Sequence, residues 1–144
     1  MSTADRLPRA LLTLRLTVFL VMLVWTLDKL LAPGHAARVF ENFYFISGIG
    51  SPAMRVIGWL ELLVIVGFVL GLAKPLTYGA VLLFHGVSTL ASYGMYLNPA
   101  EGRLFFAAWP MLAACYALYV LRDEYTLWTW RSFRHKRRDG GLHD

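Results

Sequence analysis

The chain is short of what a water-facing domain needs and of what most catalytic sites use. Only 16% of its 144 residues are charged, against 58% hydrophobic, too little polar side chain to clothe a soluble globule. Cys115 is the single cysteine, which excludes an internal disulfide, a CxxC redox pair and a cysteine-based zinc site within one chain. Of the four histidines, only His85 falls in an apolar stretch, while His35, His135 and His143 lie in connections or the tail. A haem held between two membrane histidines is therefore excluded. There is no glycine-rich phosphate loop, and no helix carries two histidines at metal-ligand spacing. A Ser/His/Asp set can be written down from Ser88, His85 and Asp28, but nothing in the spacing supplies the geometry that nucleophilic catalysis requires.

What the chain has is apolar length. Four runs, centred on residues 10–32, 54–73, 76–97 and 104–122, each approach the roughly 20 residues that carry a helix across about 30 Å of hydrocarbon. They predict an all-α integral membrane protein, a four-transmembrane-helix up-down bundle in one domain covering residues 1–144, with a basic tail over 123–144. The first run is too long for a signal-peptide core and no small-residue cleavage site follows it, so it is expected to stay. The short connections GLAKPL and NPAEGR make the last three runs antiparallel neighbours. Gly67 and Gly71 form a GxxxG pair in the second run, read as helix packing within the bundle before dimerisation.

Orientation follows from lysine and arginine near the helix ends. With a cytoplasmic N-terminus, Arg6, Arg9, Arg15, Lys74, Arg122, Arg131, Arg134, Lys136, Arg137 and Arg138 lie inside and Lys29, Arg38, Arg55 and Arg103 outside. That bias places both termini in the cytoplasm of a bacterial inner membrane. The tail RSFRHKRR at 131–138 supplies most of the net charge of +5. Beside a membrane such a cluster fixes topology and meets anionic headgroups, so no nucleic-acid partner is expected. The aromatics Tyr125, Trp128, Trp130 and Phe133 just before it read as an inner interfacial anchor.

The longest connection, HAARVFENFYFISGIGSPAMR, carries Val39, Phe40, Phe43 and Tyr44 at helical spacing, which predicts a short interfacial helix in the first outer loop. Phe40, Phe43 and Tyr44 are read either as a lid or partner-docking surface or as an amphipathic connector that covers the bundle top.

Ionisable residues in the apolar runs carry the functional argument, because a charge in hydrocarbon costs on the order of 3 kcal/mol or more. Asp28 and Lys29 sit about one turn from the outer end of the first helix. At ~1.5 Å per residue, Glu61 lies roughly 12 Å below the outer interface and His85 about 6 Å deeper. Lys29 can reach Glu61. Tyr78, His85, Ser88, Ser92 and Tyr96 recur at seven, three, four and four, a polar stripe on one helix face that must point into the bundle or at a partner. Lys29, Glu61, His85, Ser88, Ser92 and Tyr96 are thus read as a site able to take a quinol hydroxyl or carry a proton, or as a polar cluster that only fixes helix register. Arg15, about one turn inside the other end of the first helix, is expected to snorkel to the cytoplasmic headgroups.

Arg15, the Lys29-Leu30 pair, the long outer loop, GWLELLVIVGFVLGL at 58–72 and the tight turn after it resemble the DoxX-like family, the group of small four-helix bacterial membrane proteins that includes DoxD and MauE. The resemblance spans about residues 10–122. Thr26 stands where the family often has a glycine, and the lone Cys115 departs from its disulfide-handling members. The resemblance implies an accessory role beside respiratory or sulfur redox chemistry that delivers electrons to quinone, with Lys29 and Glu61 as the matching site positions. It further implies that no cofactor is held by this chain alone, that a quinone is the one candidate, and that the partners are the bilayer and either a membrane redox protein or further copies of the chain. Small-solute or ion transport and a ligand-free membrane scaffold are the competing readings. Whether the chain catalyses anything itself is left open, a non-catalytic subunit of an oxidoreductase being favoured.

Overall fold

The structure is a computed structural model that describes residues 3–98, 102–124 and 127. The anchor aromatics Tyr125, Trp128, Trp130 and Phe133, the basic run at 131–138 and part of the NPAEGR connection lie outside the described residues. Among the described residues there are helices and turns and no strand. The order is α1 (Thr3–Leu31), α2 (Pro33–Tyr44), α3 (Ser51–Val69), α4 (Lys74–Ala91), the four-residue α5 (Tyr93–Tyr96), a 3-10 segment (Gly102–Ala107) and α6 (Ala108–Val120).

Three segments are long and apolar enough to cross a membrane: Arg6–Leu31 within α1, α3, and Gly102–Val120, where the 3-10 turn leads into α6. With its 29 residues, α1 is about 43 Å long, more than the hydrocarbon needs, so it tilts or projects beyond the layer. At 18 residues, α4 is long enough, but with Lys74, Thr77, His85, Ser88 and Thr89 in it α4 is not among the segments apolar enough to cross.

The four long helices contact one another in a ring: α1 touches α3 and α6, and α4 touches the same two. Cross-contacts such as Gly79 near Tyr119 and Gly86 near Leu112 run α4 and α6 in opposite directions. The core comprises Leu11, Val18 and Met22 of α1, Ile65 and Phe68 of α3, Tyr78 and Val81 of α4, and Cys115 and Leu118 of α6. Along α1 the buried positions are Leu11, Arg15, Val18, Met22 and Thr26, a single stripe at spacings of four, three, four and four. Outside it α1 shows large apolar side chains, among them Leu20, Val24 and Trp25. Such an inside-out surface would aggregate in water and suits lipid.

Local chemistry explains where the helices stop. Leu70 ends α3, and Gly71 follows at φ +65. The Leu72 amide then donates to the Gly67 carbonyl at 2.8 Å and the Gly71 amide to that of Phe68 at 3.1 Å, the paired bonds of a Schellman ending. Gly71 is therefore a helix stop and no partner of Gly67 in a packing motif, which corrects the GxxxG reading. Gly67 does allow close approach, since a Cβ there would lie 2.9 Å from Thr77 Cγ2 on α4. The tighter seam is at Gly58, where a Cβ would lie 2.8 Å from Leu30 Cδ2 and 3.1 Å from Lys29 Cβ.

The stretch 76–97, expected as one helix, is broken at Ser92. Thr89 Oγ1 donates to the His85 carbonyl at 2.7 Å and Ser92 Oγ to that of Ser88 at 3.0 Å. Two successive hydroxyls turned back on the helix compete with its amides and bend it. The short helix expected in the longest connection is present as α2, twelve residues long, packed against α1, α3 and α4.

Candidate functional site

Charged and polar groups gather at the two ends of the bundle. At one end, the last turn of α1 presents Asp28 and Lys29 toward different neighbours, as their ~100° separation on a helix allows. Lys29 Nζ lies 2.9 Å from Glu61 Oε2 on α3, and the two side chains are only 13% and 11% exposed. The same ammonium donates to the Trp25 carbonyl at 3.2 Å. Gly58, one turn above Glu61, lets the two helices come close enough for this contact. Asp28 turns instead to α2, where its Oδ2 lies 2.8 Å from His35 Nδ1. His35 is thus its partner.

His85 is on another seam. Its Nε2 lies 2.9 Å from the Ala108 carbonyl at the start of α6, where helix geometry leaves a first-turn carbonyl free enough to accept a second bond. Glu61 faces α1 and His85 faces α6, so the structure does not bring them into one cluster. Two further members of the polar stripe, Ser92 and Tyr96, turn to the backbone. Ser92 is bonded to the Ser88 carbonyl, and the Tyr96 hydroxyl donates to the Thr89 carbonyl at 2.8 Å while its ring stacks near Phe106 and Trp109. Thr89, which is not part of that stripe, is 1% exposed.

Phe40 and Tyr44 stack on each other with ring centres 4.9 Å apart, and Phe43 meets Phe105 of the 3-10 segment at 5.8 Å. This face of α2 closes the bundle top. Beside it lies a shallow, open pocket of about 120 Å³ lined by Asn42, Phe43, Phe45, Ala91, Tyr93, Gly94 and Met95. It forms where α4 breaks into α5, and neither Lys29 nor Glu61 lines it.

At the other end, Arg15 does not snorkel. Its side chain is fully buried, with Nη2 donating to the Leu127 carbonyl at 2.9 Å and Nη1 facing the Tyr78 hydroxyl at a longer 3.4 Å. The carbonyl of the segment after α6 takes the place of the headgroup the sequence reading assumed. Lys74 Nζ donates to the Arg122 carbonyl at 2.7 Å, so two cations from α1 and α4 hold the same segment. The spacing of Arg15 within the α1 stripe was the available signal. Length of side chain and nearness to the helix end argued the other way.

Among the described residues no group of three or more His, Cys, Asp or Glu is placed to hold a metal ion. No protein-family model, curated protein or solved structure matches the chain, so the DoxX-like resemblance stands on the residues quoted for it.

Proposed function

We propose that the chain is a small multi-pass accessory subunit of a membrane oxidoreductase complex in a bacterial inner membrane, with four crossings and both termini cytoplasmic, and that it does no chemistry alone. The observation that carries the accessory part is the use made of polar groups. Lys29 is paired with Glu61, Asp28 with His35, His85 with a carbonyl of α6, and the hydroxyls of Thr89, Ser92 and Tyr96 with backbone of the same chain. Side chains that an enzyme or a permeation path would keep available are here bonded within the chain, some across helix seams and some, as at Thr89 and Ser92, back onto their own helix. The redox part rests on the DoxX-like residues Arg15, Lys29 and Glu61 and the segment at 58–72.

A quinone enters this reading only at the outer end. Its oxygens would need donors, and the ammonium of Lys29 already has Glu61 and the Trp25 carbonyl. The head group could be taken only where that pair opens, and the rest of its site then belongs to a partner. When bound it would supply two-electron, two-proton carrying capacity; this chain's residues would do no more than orient it.

The second reading, a scaffold with no ligand, is favoured by the same closed ion pair. Purification of the tagged protein from its native membrane in mild detergent, with mass spectrometry of what accompanies it, separates the two. Recovery with a haem, flavin or copper protein in fixed ratio is expected. Recovery without any redox protein sinks the accessory reading and leaves the scaffold.

A further inference from the structure

Three hydroxyl side chains follow His85 in the next two turns of the chain, and they do not behave alike. Thr89 and Ser92 turn back on carbonyls four residues earlier, those of His85 and Ser88. Ser88 does not: its hydroxyl makes no hydrogen bond among the described residues. His85 is only half satisfied. A carbonyl can only accept, so the bond between Nε2 and the Ala108 carbonyl at 2.9 Å puts the ring hydrogen on Nε2 and leaves Nδ1 of the neutral imidazole a bare acceptor. Nδ1 has no partner among the described residues either. Both residues are half-buried, and neither open atom is sealed inside the chain.

In hydrocarbon these two atoms are costly, because lipid tails supply neither a donor nor an acceptor. Residues three apart on a helix have Cβ atoms about 5–6 Å apart, so one oxygen roughly 2.8 Å from each open atom can bridge them. That oxygen must bring a hydrogen to Nδ1 and a lone pair to the Ser88 hydroxyl. A hydroxyl has both, and with it every donor in the group is used. Aromatic surface adjoins the spot. Trp109 follows the residue whose carbonyl holds His85, and the Tyr96 hydroxyl donates to the carbonyl of Thr89, next to Ser88. The Tyr96 ring lies 5.2 Å from that of Phe106 and 6.0 Å from that of Trp109, and Phe106 and Trp109 remain 53% and 45% exposed.

We propose that His85 and Ser88 form a site for the hydroxyl of a phenolic ring that enters from the membrane. Nδ1 accepts the phenol hydrogen, Ser88 donates to the phenol oxygen, and the ring takes the uncovered aromatic surface of Phe106 and Trp109. The placement rests on the four-span reading above, with α4 in the membrane; in water, solvent would fill both positions. A quinone offers no hydrogen to Nδ1, so this site is separate from the one considered at Lys29 and Glu61.

The test titrates phenol, and its methyl ether anisole, into the full chain in lipid nanodiscs, with the histidine rings nitrogen-labelled for NMR and the His85 resonances identified by their loss in His85→Gln. The expected result is a ring protonated at Nε2 whose Nδ1 resonance shifts upfield and saturates as phenol is added. Anisole, which has no hydrogen to donate, should produce no saturating shift. Ser88→Ala should weaken phenol binding about threefold to tenfold, the effect of losing one hydrogen bond, with the Nε2 resonance unchanged. A hydrogen on Nδ1, a shift that grows without saturating, an equal response to anisole, indifference to Ser88→Ala, or an Nδ1 already held by water and unmoved by phenol overturns the proposal. A water-soluble gadolinium chelate separates its failure from that of the membrane reading: broadened His85 signals place α4 outside the hydrocarbon and sink both, whereas sheltered signals with no saturating response sink the phenol site alone.

Discussion

Replacing Glu61 by Gln keeps the shape of the side chain and removes its charge, leaving the Lys29 ammonium in a seam where both side chains are almost covered. Removing one partner of a buried pair costs about 3–5 kcal/mol because the other charge stays behind uncompensated. Here the lower part of that range applies, or slightly less. Gln still offers an acceptor, Lys29 keeps the Trp25 carbonyl, and one turn from the helix end its long stem can carry the charge toward water. A loss of about 2–3 kcal/mol is expected, on the order of a 30-fold or greater fall in the folded-to-unfolded ratio. Removing both charges, as in Lys29→Met with Glu61→Leu, should be close to neutral, since a well-packed apolar pair replaces a desolvated ionic one. The assay is reversible unfolding in a fixed detergent by steric trapping, carried through the full double-mutant cycle. A single-mutant cost below about 0.5 kcal/mol, or a double mutant as unstable as Glu61→Gln, would show that the contact is a surface pair of little consequence.

Other substitutions probe other seams. Arg15→Met should free the segment after α6 by removing the bond to the Leu127 carbonyl, and trypsin added to inside-out vesicles should then cut after Arg122 several times faster than in the unaltered protein. Gly58→Leu should separate α1 from α3, because even a Cβ would lie 2.8 Å from Leu30; overpacking of this kind costs about 1–3 kcal/mol, whereas Gly58→Ala should cost less because the end of Leu30 can shift. His35→Ala breaks the contact with Asp28, but His35 is 53% exposed, so thermal stability should move little.

Much of the outer end was legible in the sequence because charges in an apolar run have few ways to be satisfied. Lys29 and Glu61 lie on successive long helices at matching depth, and α2 announced itself by the spacing of Phe40, Phe43 and Tyr44. The inner end was harder. Arg15 sits in register with Leu11, Val18 and Met22, but its acceptor belongs to a backbone carbonyl 112 residues away, and backbone acceptors leave no mark on composition. The same blindness split the polar stripe. Periodicity grouped His85, Ser88, Ser92 and Tyr96, yet the helix breaks at Ser92, and spacing could not tell that His85, Ser92 and Tyr96 would turn to the carbonyls of Ala108, Ser88 and Thr89 in place of a ligand. The break at Ser92 follows from those bonds, and a run of apolar residues on either side concealed it.

The decisive element is α4, long enough to cross but not among the candidate spans, and the one whose crossing sets the direction of everything after it. With α4 in the membrane, Asn98 lies outside and Arg122 inside; with only α1, α3 and α6 crossing, both positions exchange sides. Single cysteines placed at Asn98 and at Asp123 in the Cys115→Ser chain, labelled in intact cells with a membrane-impermeant maleimide, report this directly. Four crossings predict labelling at 98 and protection at 123 until the membrane is opened. The reverse pattern would contradict the four-span bundle and the cytoplasmic C-terminus together.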